Sequence, residues 1–337
     1  MAKNRSKDND VDEKEEKEEK GKKEKKSIYL TADYILDRPK KIVSASVLLD
    51  PILNGGVPES TLMLISGNEK IGKTSLALKI IANAQRMGKV GIIADVEHRL
   101  KVMNLKGIKG LDVSPDKLKI IRSQEGDILS GEEILTRAEQ CLHDFPGCVL
   151  LVDSFSSLSP AAEQAKAYGD GLMAARAKLE AEFCRKIAPI IAVNNNIIIG
   201  IAHIASNIGG YGNVEKVGKV AKYQLDIRLR CKMAEKTPDW LSDGVLVGHK
   251  IHWTAMTTAL GKRGGEATTH LRYGIGIDDV ADIIALAAEL GVIEKGGSWY
   301  TLHDGQKAQG FDAIYNIINQ DEKLFKEIEK RVKELVV

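Results

Sequence analysis

Aromatic residues are scarce in this chain, 5% of 337 residues, and there are only four cysteines, Cys141, Cys148, Cys184 and Cys231. No two of them stand at C-x-x-C spacing and no histidine clusters with them. That argues against a zinc framework and for reduced core thiols. A surplus of one charge is also missing: 49 Lys and Arg against 47 Asp and Glu leave a net charge of +2. The molecule as a whole therefore exerts no general pull on nucleic acid or an anionic membrane, and any polyanion must be met by a local patch. Long apolar runs are absent too. The longest, Ile197 to Ile204, is broken by Gly200 and His203 and falls far short of a membrane span. The N-terminus is charged from the start, unlike a secretory signal. Together these absences predict a cytoplasmic protein with no membrane partner.

What is present is an ordinary globular share of apolar residues, 43%, in a length that suits one large or two modest domains. Residues 1–26 are almost all Lys, Glu, Asp, Asn and Ser and cannot bury a core, so a disordered charged tail is expected there. Residues 27–41 carry Ile28-Tyr29-Leu30 and Tyr34-Ile35-Leu36. The sequence leaves open whether this segment packs on its own core or docks on a neighbouring subunit. From Ile42 onward, nearly continuous apolar runs alternate with helical patterns: Thr61–Ser66, Val90–Asp95, Leu118–Arg122, Val149–Asp153 and Ile197–Ala202. That alternation predicts an α/β fold with a mostly parallel sheet covered on both faces. Tyr223–Cys231 and Gly244–Thr254 alternate in polarity, as half-exposed antiparallel strands do. A core over 42–274 is expected to be followed by a small α/β subdomain over 275–337.

The most specific signal is Gly67-Asn68-Glu69-Lys70-Ile71-Gly72-Lys73-Thr74-Ser75, between an apolar run and a helical pattern. This is the phosphate-binding loop spelling. The two glycines let backbone N–H groups converge on phosphate oxygens. Lys73 supplies a point charge, and Thr74 a hydroxyl for magnesium. The following helix points its N-terminus at the anion. Three further residues fit hydrolysis of ATP. Asp153 ends an apolar strand and can hold magnesium. Glu97 lies just past the strand ending at Asp95, where a carboxylate can orient and deprotonate the attacking water. His203, at the end of another strand, can sense the γ-phosphate.

GNEKIGKTS at 67–75, ADVEHRL at 94–100, VLLVDSFSSLSP at 149–160, IIIGIAHIASNIGGYG at 197–212, YQLDIRLR at 223–230 and LGVIEKGGSWY at 290–300 occur in that order. In these motifs the chain resembles the RecA family of homologous-recombination ATPases, including phage recombinases of the UvsX type. The resemblance implies a RecA-like ATPase core and a C-terminal subdomain. It implies an ATP-dependent recombinase of the bacterial or phage-infected host cytosol that forms helical filaments on single-stranded DNA and pairs it with double-stranded DNA. Lys73, Thr74 and Asp153 would hold phosphates and magnesium, Glu97 would act as general base, and Tyr273 would pack on the adenine. The first DNA loop corresponds to about 165–173 and the second to about 206–221. Leu172 or Met173, with Ile208, fall where apolar wedges enter the DNA. Arg176, Gly209, Gly210, Gly218, Lys219 and Lys222 fit phosphate contacts. The second loop is glycine-rich and lysine-bearing, which predicts a segment that holds no core position.

The chain also departs from the family. Of two lysines that reach a neighbour's nucleotide, Lys250 has a counterpart and the other position is Gly248. Ala205 and Asn207 stand where basic residues are expected. These departures motivate a second reading, an ATP-binding regulatory or mediator protein on the same fold without strand exchange.

Overall fold

A computed structural model describes residues 32, 36–165, 173–206, 213–242, 244–259, 261 and 263–336. The chain divides into two units, 1–39 and 40–337. In the first, Leu36 N donates to Ala32 O at 3.1 Å, a single helical turn. The charged tail and most of the 27–41 docking segment lie outside the described residues.

In the second unit a short antiparallel pair, β1 (Ile42–Val43) and β2 (Val57–Pro58), precedes the main sheet. The apolar runs become β3 (Thr61–Gly67), β4 (Gly91–Asp95), β5 (Leu118–Ile121), β6 (Val149–Asp153) and β7 (Ile197–Ser206). With β9 (Ile227–Met233) they form a parallel block in the order β9-β3-β7-β6-β4-β5. Every residue of β3 is buried, as a strand covered on both faces requires. Its side chains alternate between two cores. Met63 and Ile65 meet helix α1 (Lys73–Arg86) through Leu76, Ile80 and Ile81. Leu62 and Leu64 share the opposite core with α2 (Gly131–Asp144) and α3 (Met173–Asn194), which bring in Ile134, Leu142, Phe183 and Ile187. Helix α2 starts on a reciprocal cap: Ser130 Oγ accepts from Glu133 N at 3.3 Å, and Ser130 N donates to Glu133 Oε2 at 2.8 Å.

Two sequence expectations change here. The alternation over Tyr223–Cys231 predicts an antiparallel strand, but β9 runs parallel to β3 and antiparallel only to β11 (Val245–Thr257). Alternating polarity reports a half-exposed face, and Arg228 and Arg230 supply it; it does not report direction. The composition of the second-loop segment predicts that it holds no core position. Yet β7 continues to Ser206, and β8 (Asn213–Glu215) pairs back on it, Ile204 opposite Glu215. Ala221 is buried in the core shared with α2 and α3. The anchor is polar: Glu215, 3% exposed, accepts from Ser66 Oγ at 2.9 Å and pairs with Arg228 at 2.7 Å, with Arg230 at 3.4 Å and Lys222 at 3.5 Å. Apolar periodicity cannot reveal such an anchor.

Antiparallel strands extend the sheet beyond β9: β10 (Asp239–Ser242) and β12 (Glu266–Arg272) pair with β11, and β13 (Gly276–Ile277) with β12. The C-terminal segment builds a third core. It joins α4 (Asp279–Glu289), a three-stranded sheet of β14 (Glu294–Gly296), β15 (Trp299–Thr301) and β16 (Lys307–Gln309), α5 (Phe311–Gln320) and α6 (Glu322–Val336). Trp240 of β10 is buried in this core.

Candidate active site

Parallel register brings the carboxyl ends of four strands to one edge. Gly67 pairs with His203, and Asp95 with Asp153. In such sheets this edge is where ligands bind.

The loop leaving β3 is shaped by close packing. A Cβ on Gly67 would stand 2.5 Å from Cys231 Sγ. Gly72 has φ +117°, and a Cβ there would meet Leu271 Cδ1 at 2.5 Å and Ile251 Cδ1 at 2.7 Å. Asn68, Glu69 and Lys70 are exposed, Ile71 and Lys73 are buried, and Thr74 and Ser75 are half-buried on the first turn of α1. Lys73 Nζ donates to Gly67 O at 3.2 Å and Asn68 O at 2.5 Å. Burial lowers the Lys73 pKa, against the opposing pull of Cys231, Asp153, Glu97 and Glu69.

Thr74 Oγ1 donates to Asp153 Oδ2 at 2.7 Å. Burial pushes Asp153 up to about 6, with the neighbouring Glu97 and Asp95 charges adding to the effect and the Thr74 hydrogen bond opposing it. Two hard oxygen donors beside crowded, buried carboxylates fit a divalent cation, whose charge would relieve that crowding.

Glu97 is the most heavily bonded group at this edge. Its Oε1 accepts from Ser154 Oγ at 2.6 Å, His203 Nε2 at 2.8 Å and Ser157 Oγ at 2.9 Å. Arg99 lies 3.5 Å from its Oε2. Burial raises the Glu97 pKa, but these hydrogen bonds outweigh it and hold the carboxyl at about 2. His203 N in turn donates to Ser156 Oγ at 2.8 Å. Sequence reasoning missed the three serines, although the run SFSS directly after Asp153 was the available signal. It also missed Arg99 and Glu215.

The remaining candidates are dispersed. Tyr273 is 53% exposed and touches His249 Nδ1 at 3.3 Å. Lys250 Nζ rests 3.5 Å from Thr237 Oγ1. Strand alternation turns Lys250 away from the face on which His249 and Ile251 meet the phosphate loop. At Gly248 a Cβ would fall 2.0 Å from Leu271 O. A cleft of about 810 Å³ runs from Glu97 and His203 to the base of the second loop, past Arg176, Lys216 and Gly218. Arg176 donates to Ser156 O at 2.9 Å and lies 3.6 Å from Glu180. Gly218 N donates to Glu180 Oε2 at 2.6 Å, and Lys222 Nζ to Glu215 O at 3.0 Å. Lys219 is exposed. Met173 opens α3, while Leu172, Ile208, Gly209 and Gly210 lie outside the described residues.

Comparison with known proteins agrees with this arrangement. The family model for the RecA N-terminal domain matches residues 17–278, and that for the RecA C-terminal domain matches residues 281–337. The chain is 32% identical to Protein RecA of Aquifex pyrophilus over 298 residues, 87% of this chain and 82% of that protein. It is 29% identical to Protein RecA of Chloroherpeton thalassium over 300 residues, 88% of this chain and 81% of that protein.

Proposed function

The chain belongs to the RecA family, and from that premise we propose that it is an ATP-dependent DNA recombinase. It polymerises on single-stranded DNA, pairs that strand with a homologous duplex, and uses ATP hydrolysis to release the filament. Lys73 exchanges its carbonyl partners at Gly67 and Asn68 for phosphate oxygens, while the loop from Gly67 to Ser75 wraps the triphosphate. Thr74 and Asp153 would hold magnesium, which would supply positive charge to offset that of the phosphates. Glu97 orients the attacking water. Ser154, Ser157 and His203 hold that carboxylate in place for this and for taking the water's proton during attack. Lys250 extends toward a neighbouring copy's nucleotide. Leu172, Met173 and Ile208 separate bases, while Arg176, Lys219, Lys222 and the glycines 209, 210 and 218 meet phosphates.

One observation carries the coupling. His203 Nε2 lies on Glu97 Oε1 at 2.8 Å, and His203 O accepts from Lys216 N at 2.8 Å, on the far side of the second loop. A γ-phosphate that draws Glu97 or His203 away therefore moves the strand pair carrying the DNA loop. The test is negative-stain imaging with single-stranded DNA and a non-hydrolysable ATP analogue, together with ATP turnover with and without that DNA. Filaments and stimulated turnover are expected. Particles that never form filaments, with turnover indifferent to DNA, would sink the proposal.

A further inference from the structure

Alternation along β11 places His249 and Ile251 on the face that meets the phosphate loop, and both are buried, 5% and 0% exposed. Ile251 and Leu271 fill the space beside Gly72. His249 makes two polar contacts. Its Nε2 lies 3.0 Å from Ile71 O, inside the loop, and its Nδ1 lies 3.3 Å from the phenol oxygen of Tyr273. A carbonyl only accepts, so Nε2 carries the hydrogen; in that tautomer of the neutral ring Nδ1 accepts from the phenol. The chain of donors thus runs from Tyr273 through the imidazole to the loop. The two rings stand 5.7 Å apart, centroid to centroid. Tyr273 N also donates to Val247 O at 2.9 Å. The bare Gly248 permits this close pairing of β11 with β12, since a Cβ there would strike Leu271 O.

We infer that His249 is a positioning residue for nucleotide recognition: it fixes the half-exposed Tyr273 ring at a set place relative to the phosphate-holding backbone. The base and the triphosphate of one nucleotide are then read as a unit. The inference rests on the reading that Tyr273 meets the base. A ring that is already placed loses less rotational freedom when a base stacks on it, so the benefit falls on ligands that have a base. A bare triphosphate gains nothing from it.

The experiment compares binding of Mg-ATP and of magnesium with inorganic tripolyphosphate to the full chain by calorimetry. Tyr273→Phe removes one oxygen from a half-exposed ring and leaves the fold intact. His249→Gln keeps an amide donor for Ile71 O but loses the imidazole acceptor. Each should weaken ATP about fivefold, the worth of one net hydrogen bond. The double variant should be no weaker than either, and tripolyphosphate binding should not change. ATP affinity unaltered in Tyr273→Phe, or tripolyphosphate weakened in parallel with ATP in His249→Gln, would overturn the inference. Tyr273→Ala separates it from its premise. If Tyr273→Ala weakens ATP while Tyr273→Phe and His249→Gln do not, only the role of His249 fails. If Tyr273→Ala also leaves ATP binding unchanged, the base-stacking reading falls, and the inference with it.

Discussion

Glu97 illustrates how much one side chain's surroundings decide. Three hydrogen bonds converge on its Oε1, from Ser154, His203 and Ser157. Glu97→Gln should preserve ATP binding and lower phosphate release about 100-fold or more, because the orienting carboxylate is lost. Turnover within a few-fold of wild type would reassign the role. Asp282 in α4 shows burial acting the other way. It is 0% exposed, and its Oδ1 accepts from His270 N and Nδ1, both at 2.8 Å. Burial raises its pKa from an ordinary 3.8 to about 6, against the lowering effect of His270. The folded state therefore takes up this proton before the unfolded chain does. The resulting stabilisation is complete below pH 3.8 and is lost as pH rises through 6. Asp282→Asn mimics the protonated form, so its stability relative to wild type should grow by roughly 2 kcal/mol between pH 4 and pH 6.5. Urea unfolding at a series of pH values measures this, and a pH-independent difference would contradict it.

At the scale of elements, the β11–β12 pair and the β7–β8 pair are the two pieces that close on the phosphate loop. The first packs Ile251 and Leu271 against Gly72 and has no room for a side chain at position 248. Gly248→Lys would install the lysine that the family resemblance expects, but it should destabilise the fold by about 2 kcal/mol, because the strands must separate to admit a Cβ. Unchanged unfolding in urea would show that the strands yield easily. The second pair is pinned by Glu215, which ties the return from the second loop to Ser66, the residue before Gly67. Burial would raise the pKa of Glu215, but the Arg228, Ser66 and Lys222 partners outweigh it and lower the pKa.

For the whole molecule, a net charge of +2 means that DNA affinity comes from local contacts, which salt dependence counts. Lys219 is exposed, whereas Lys222 is already paired with Glu215. Lys219→Ala should reduce the slope of log affinity against log salt on single-stranded DNA by about 0.7. Lys222→Ala should change that slope less, because a Lys222 that meets a phosphate still shares its charge with Glu215. Equal changes would mean that Lys222 leaves Glu215 when DNA binds. Among the described residues, no helix is long and apolar enough to cross a membrane.

Elements whose information is local can be read from the chain alone. A strand buried on both faces must be apolar throughout, and the phosphate loop needs its glycines, Lys73 and Thr74 at fixed spacing, so both were legible. Strand ends gave Asp153, Glu97 and His203 as candidates one at a time. How they meet depends on the folded sheet. The bonds between Glu97 and Ser154, between Glu215 and Ser66, and between His249 and Ile71 join positions 57, 149 and 178 residues apart. No short-range periodicity records a polar contact of that kind, because each partner alone is an ordinary serine, acid, histidine or carbonyl until the sheet sets them side by side.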